Sequence, residues 1–151
     1  MKLILAAVTN RKGKGKSSGA EMMLQEYVAR ATRYTTTELV GFESEGALLG
    51  YAEREPGRPA AQVVLLDSRG DDLTSEEFAE RMRKMRDEGV QRVMYGIGPA
   101  DGWSKGALAR GYKTMSLGRM TLPHELARVV LAEQVYRALT ILAGHPYHSG
   151  H

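Results

Sequence analysis

Two stretches, Tyr95-Gly-Ile-Gly-Pro-Ala-Asp-Gly-Trp103 and, after a short connector, Tyr112-Lys-Thr-Met-Ser-Leu-Gly-Arg-Met-Thr-Leu-Pro-His124, decide how this chain folds. Each begins as a strand-like run and ends in a glycine-rich turn. A long amphipathic helix starts just beyond the second. This layout gathers exposed backbone groups at one edge of a sheet, and such edges take nucleotide-like ligands.

The same grammar runs upstream. Lys2 to Val8 is a short apolar run, the pattern of a buried parallel strand. Thr35 to Phe42 and Gln62 to Asp67 read as the second and third strands, the latter through Val63-Val64-Leu65-Leu66. Arg92 to Tyr95 begins the fourth, and Tyr112 to Leu117 is the fifth. Between them lie helical patterns. Glu21 to Arg33 places Met22, Met23, Tyr27 and Ala31 near one face. Glu43 to Arg54 is ambiguous and reads as one helix broken by Gly46 and Gly50, with Pro56, Gly57 and Pro59 as stops. Ser68 to Asp72 reads as a turn. Thr74 and Glu77 form a capping box, and Phe78, Met82 and Met85 an apolar stripe, before a C′ glycine at Gly89. Ser104 to Gly111 is a short helix. His124 to Ala143 is the last, with Leu126, Val129, Val130, Ala132, Val135, Tyr136, Leu139 and Leu142 at helical spacing. Alternating strands and helices imply an α/β fold, an open and mostly parallel sheet with helices on both faces. With no repeat or linker, residues 1–151 are expected to form a single domain.

Composition narrows the chemistry. The chain has 151 residues and no cysteine, which excludes disulfides and thiolate metal sites and suits a reducing cytoplasm. The apolar run at residues 3–8 is too short for a signal peptide, and no stretch reaches the length of a membrane span. A net charge of +3 permits an anionic partner without requiring one.

Several motifs carry candidate chemistry. Asn10 to Gly19 is basic and glycine-rich. Gly15-Lys16-Ser17 and the strand ending at Asp67 invite a nucleotide-hydrolase reading, but the phosphate-loop pattern needs a glycine where Asn10 stands. A solvated loop, or a phosphate-contacting patch of Arg11, Lys12, Lys14 and Lys16, are the alternatives. Gly98 and Gly102 around Pro99 let backbone approach a ligand, or simply make a tight turn. His124 sits at a helix N-terminus with free N–H groups. In His145-Pro-Tyr-His148 the proline disfavours a shared helical face, so no metal site is expected, and Tyr147 is suited to stacking on a base.

The segment Ser116-Leu-Gly-Arg-Met-Thr-Leu-Pro-His124, followed by Arg128-Val-Val-Leu-Ala-Glu-Gln-Val-Tyr-Arg137-Ala and closed by His145-Pro-Tyr-His148, resembles the RlmH-type ribosomal RNA methyltransferases. These are small SPOUT-class enzymes. The similarity runs the whole length and is sharp from about Ile97 onward. It implies a C-terminal trefoil knot, a rare exception to ordinary topology. It implies methylation of N3 of a pseudouridine in 23S rRNA, pseudouridine 1915 in the family, with S-adenosylmethionine as cofactor. Cofactor contacts carry over to Leu66, Gly98, Leu117, Gly118, Arg119, Met120, Thr121 and Leu122. His124, Arg137, Tyr147 and His148 match polar positions near the reaction centre. Arg137 and His148 are expected to act electrostatically or on substrate phosphate, His124 in a structural or proton role, and Tyr147 on the base. For Arg137 the competing reading is a helix-surface ion pair with Glu133. The likeness also implies a homodimer in which the partner's C-terminal segment completes each site.

The chain departs from the family pattern in four places. Pro99 stands where a second glycine usually follows Gly98, and it removes an N–H. Asp71 follows Gly70 where many members carry lysine. Gly144 replaces a common polar residue, and the region between Phe42 and Gln62 is short.

Overall fold

The computed structural model describes residues 1–9 and 19–149. The basic loop with Arg11, Lys12, Lys14, Lys16 and Ser17 lies outside the described residues.

Five strands form one parallel sheet. They are β1 (Lys2–Val8), β2 (Thr37–Phe42), β3 (Gln62–Asp72), β4 (Arg92–Ile97) and β5 (Lys113–Ser116), in the order β2-β1-β4-β3-β5. The helices are α1 (Gly19–Thr32), α2 (Glu45–Tyr51), α3 (Ser75–Asp87), α4 (Lys105–Leu108) and α5 (His124–Leu142), followed by a single 3₁₀ turn at Pro146–His148. None of the described helices is long and apolar enough to cross a membrane.

Strand side chains alternate between two apolar layers, as the period of two requires. Leu3, Leu5 and Ala7 of β1, with Val93, Tyr95 and Ile97 of β4, face α1, α3 and α5. Ile4, Ala6 and Val8, with Val63, Leu65 and Met94, face the shorter α2 and α4. Burying both faces explains why these strands read as near-continuous apolar runs.

Three local expectations change. The buried face of α1 is Leu24, Val28 and Ala31, while Met22 is 67% and Met23 49% exposed. A run of two methionines suggested the wrong stripe, because their size outweighed their angular position. Gly46 and Gly50 sit inside α2 without breaking it; Leu48 and Leu49 are buried, and Ser44 caps the helix by accepting from Ala47 N–H. Packing here overrides the propensity cost of about 1 kcal/mol per glycine.

The third change concerns β3. It does not stop at Asp67. Leu66 pairs with Met115, the chain makes an excursion through residues 67–70, and Asp71 pairs with Met115 again. Gly70 lies so close that a Cβ there would stand 2.6 Å from Met115 N. The expected turn is therefore an irregularity within a longer strand. The capping box of α3 forms as expected between Thr74 and Glu77.

Candidate active site

The carboxyl ends of β4 and β5, with the stretch of β3 at residues 66–69, open onto one hollow of about 660 Å³. Leu66, Gly98 and the whole run Leu117, Gly118, Arg119, Met120, Thr121 and Leu122 line it, together with His124. The fold thus brings all eight expected cofactor positions to one place. The volume is in the range of small-molecule sites.

Local backbone chemistry shapes this hollow. After β4, Gly102 N–H donates to Pro99 O at 2.8 Å, closing a turn, and Gly102 takes φ +89°. Pro99 rims the hollow but offers no donor. After β5, the Ser116 hydroxyl donates to Gly118 O (2.7 Å) and accepts from Gly118 N–H (3.1 Å). Gly118 has φ +127°, a conformation that other residues rarely adopt. Beyond it, the N–H groups of Arg119, Met120, Thr121 and Leu122 have no hydrogen-bond partner among the described residues. A ligand held by backbone would use such groups. His124 begins α5, and its Nε2 is buried without a partner among the described residues.

Strand ends meet through one side chain. Trp103 Nε1–H donates to Leu66 O at 2.9 Å. A Cβ at position 98 would stand 2.9 Å from the indole, so the ring alone already demands glycine there. Next to Leu66, the Asp67 carboxylate accepts from Arg69 N–H (2.8 Å) and Nε–H (3.2 Å). Burial pushes this carboxyl up, but the hydrogen bonds from Arg69 outweigh it and hold it below its ordinary range. Asp67 is therefore committed to its own loop.

Arg137, Tyr147 and His148 lie elsewhere. Arg137 grips Glu133 with Nε (3.2 Å) and Nη2 (2.8 Å), and its Nη1 lies 2.9 Å from His148 Nδ1. Tyr147 O–H donates to the same Glu133 at 2.7 Å, and its ring packs edge-on against Tyr136. His148 Nε2 contacts the Glu76 carboxylate on α3. Gly144 makes this return possible. At φ +70° it ends α5 by donating to Ile141 O, while His145 N–H reaches Thr140 O, a Schellman arrangement. The departure at Gly144 thus has a local cause.

Electrostatics follow from these contacts. Glu133 raises the Arg137 pKa against the opposing effect of burial, so the guanidinium stays charged. Burial, then Glu133, pushes the Tyr147 phenol well above its ordinary range. It remains a donor at neutral pH and is no proton acceptor.

Sequence reasoning brought Arg137, Tyr147 and His148 together but missed their centre. Glu133 appeared only as an ion-pair partner. Trp103 was quoted and given no role, although a lone tryptophan straight after a turn glycine is a usable signal.

A sequence profile described as "Predicted SPOUT methyltransferase" matches residues 1–148. The ribosomal RNA large subunit methyltransferase H of Koribacter versatilis is 51% identical over 92% of this chain and 94% of its own length. Proteins of the same name from Anaeromyxobacter sp. (strain K) and Geobacter sp. (strain M21) are 42% and 39% identical, over 98% and 90% of this chain and 99% and 94% of their own lengths. Coverage from end to end, at these identities, places the chain in the SPOUT methyltransferase family, alongside the ribosomal RNA large subunit methyltransferases H.

Proposed function

We propose that this protein transfers the methyl group of S-adenosylmethionine to N3 of a pseudouridine in 23S rRNA. The observation that carries the reading is the single hollow uniting Leu66, Gly98, Leu117–Leu122 and His124. The N–H groups of Arg119 to Leu122, unpaired among the described residues, fit a cofactor held by backbone. When bound, the cofactor supplies a sulfonium-activated, electrophilic methyl. The target N3–H is a weak acid, so its proton must leave as the nitrogen attacks. His124 lines the hollow with a buried ring nitrogen that has no partner among the described residues, which supports its serving as the acceptor. Arg137, held charged by Glu133, stabilises negative charge on the base or engages phosphate. Tyr147 and His148 contact the RNA.

A homodimer accounts for the separation within α5. His124 and Arg137 are thirteen residues apart on one helix, about 20 Å at ~1.5 Å per residue. One chain's Arg137 cannot serve its own hollow, so a second copy supplies Arg137, Tyr147 and His148 to it. Met120, 86% exposed beside the hollow, and Leu126 are apolar surface suited to that contact. We also assign the C-terminal third a trefoil knot, residues 1–151 a single domain, and the protein a cytoplasmic place among ribosomes.

The test is calorimetric titration with S-adenosylmethionine, followed by labelled methyl transfer to ribosomes and to free 23S rRNA. Binding and transfer to one of these substrates are expected. No binding at millimolar cofactor would sink the proposal, and salt-dependent RNA binding with no methyl transfer would make this an RNA-binding module instead.

A further inference from the structure

Trp103 is the only tryptophan in the chain, and it lines the hollow beside Leu66 and Gly98. It is 8% exposed and packs into the apolar layer with Ile4, Ala6 and Leu48. Its N–H holds the Leu66 carbonyl where the pairing of β3 with β4 ends. Its ring occupies the space that side chains at positions 96 and 98 of the β4 end would need; Cβ atoms there would stand 3.4 and 2.9 Å from it. The segment carrying it is fixed on both sides. The Pro99–Gly102 turn precedes it, and Ser104 follows with its N–H (2.8 Å) and hydroxyl (2.6 Å) both donating to Glu45.

We propose that Trp103 is a positioning residue for the cofactor, the one side chain that sets the gap between the Leu66 carbonyl and the Gly98 turn. This rests on the cofactor site proposed above. The chain of cause is short. Two parallel strand ends carry backbone groups toward one ligand, and their spacing decides whether both reach it. Ladder hydrogen bonds between β3 and β4 end at the Leu66–Ile97 pair, so they do not fix Gly98. The indole takes over at that point, through one hydrogen bond and one flat face. It also spends an acceptor site of Leu66 O, so the cofactor meets Leu66 through its remaining lone pair or its side chain. Pro99, which brings no donor, is tolerable at this turn because the indole supplies the fixing contact that a backbone N–H cannot.

The experiment uses the full-length protein and S-adenosylhomocysteine as probe. In Trp103→Phe, which keeps a ring and loses the N–H, the dissociation constant should rise about 2- to 10-fold. The cofactor KM should follow while kcat at saturation stays near the parent value, a split that general loosening of the fold would not give. In a double-mutant cycle, Gly98→Ala should weaken binding strongly in the parent and much less in Trp103→Leu, with non-additivity of about 3-fold or more. Additive effects, or parent-like affinity in Trp103→Phe, would overturn the positioning role. Should Trp103→Leu not fold, the Trp103→Phe affinity and the KM-against-kcat split decide alone. A parent protein that binds no probe refutes the methyltransferase site itself, a result distinct from either.

Discussion

The two ends of α5 present opposite chemistries. At its N-terminus, among the described residues, the hollow leaves backbone donors of Arg119 to Leu122 unpaired and a buried His124 nitrogen without a partner. At its C-terminus Glu133, Arg137, Tyr147 and His148 are bonded to one another, and His148 is bonded to Glu76. Open polar groups cost little where a ligand will arrive. Charged side chains, by contrast, must be held in shape while they wait, since flexible ones lose rotamer entropy on every encounter. One end leaves its polar groups open, and the other ties its charged groups to one another.

Breaking each end separately tests this division. The largest effect is expected from Arg137→Ala. Methyl transfer should fall about 10²- to 10³-fold, the usual loss when a preorganised charge leaves an active site. Cofactor affinity measured by calorimetry should be unchanged. Gly118→Val acts at the other end. A β-branched residue at φ +127° adds strain of about 1–3 kcal/mol. Cofactor affinity should drop about 5- to 150-fold, while mixing with an Arg137→Ala chain should restore transfer in half-sites of a heterodimer. Absence of restored transfer would break the two-chain picture. Glu133→Gln sharpens the comparison without removing a reaching group. It weakens the grip on both Arg137 and Tyr147, so kcat/KM should fall about 10-fold, with cofactor affinity again unaffected.

The smallest effect is in pH. The His148 contact holds the Glu76 carboxyl below its ordinary range. A depressed folded-state pKa stabilises above the unfolded value and is lost as pH falls through the folded one. The tether of the terminal 3₁₀ turn to α3 should therefore persist at neutral pH and weaken only on strong acidification. The Glu76 side-chain carboxyl followed by carbon NMR during acidification should titrate below the ordinary carboxylate range, and Glu76→Gln should abolish the acid-dependent part of the tether.

Much of this was legible in the sequence. Parallel strands buried on both faces must be apolar throughout, so β1, β3 and β4 announced themselves. Thr74 with Glu77 marked α3 because capping is local chemistry. The glycine turns and the Thr-Leu-Pro-His segment pointed to one sheet edge, and the hollow is there. What escaped was non-local. The end of β3 is polar, and its pairing depends on Met115, far along the chain. The α1 face depended on which of several apolar residues point inward. Gly98 was legible as special, but its neighbour Trp103 was not legible as a reason. The fourfold clasp at Glu133 depends on a chain reversal that only Gly144 makes possible.

The doubled pairing at Met115 has a consequence for precision. A strand held on one side of a single ladder can slide by two residues and still show the same faces to the core. Edge strand β5 cannot, because β3 grips it both before and after the excursion at 67–70. Gly70, fitted against the Met115 backbone, closes the remaining slack. The loop starting at Leu117 therefore begins from a clamped zero mark. Each later N–H is measured from that mark as on a ruler, so the accuracy of the proposed backbone seat is inherited from the β3–β5 pairing at Met115.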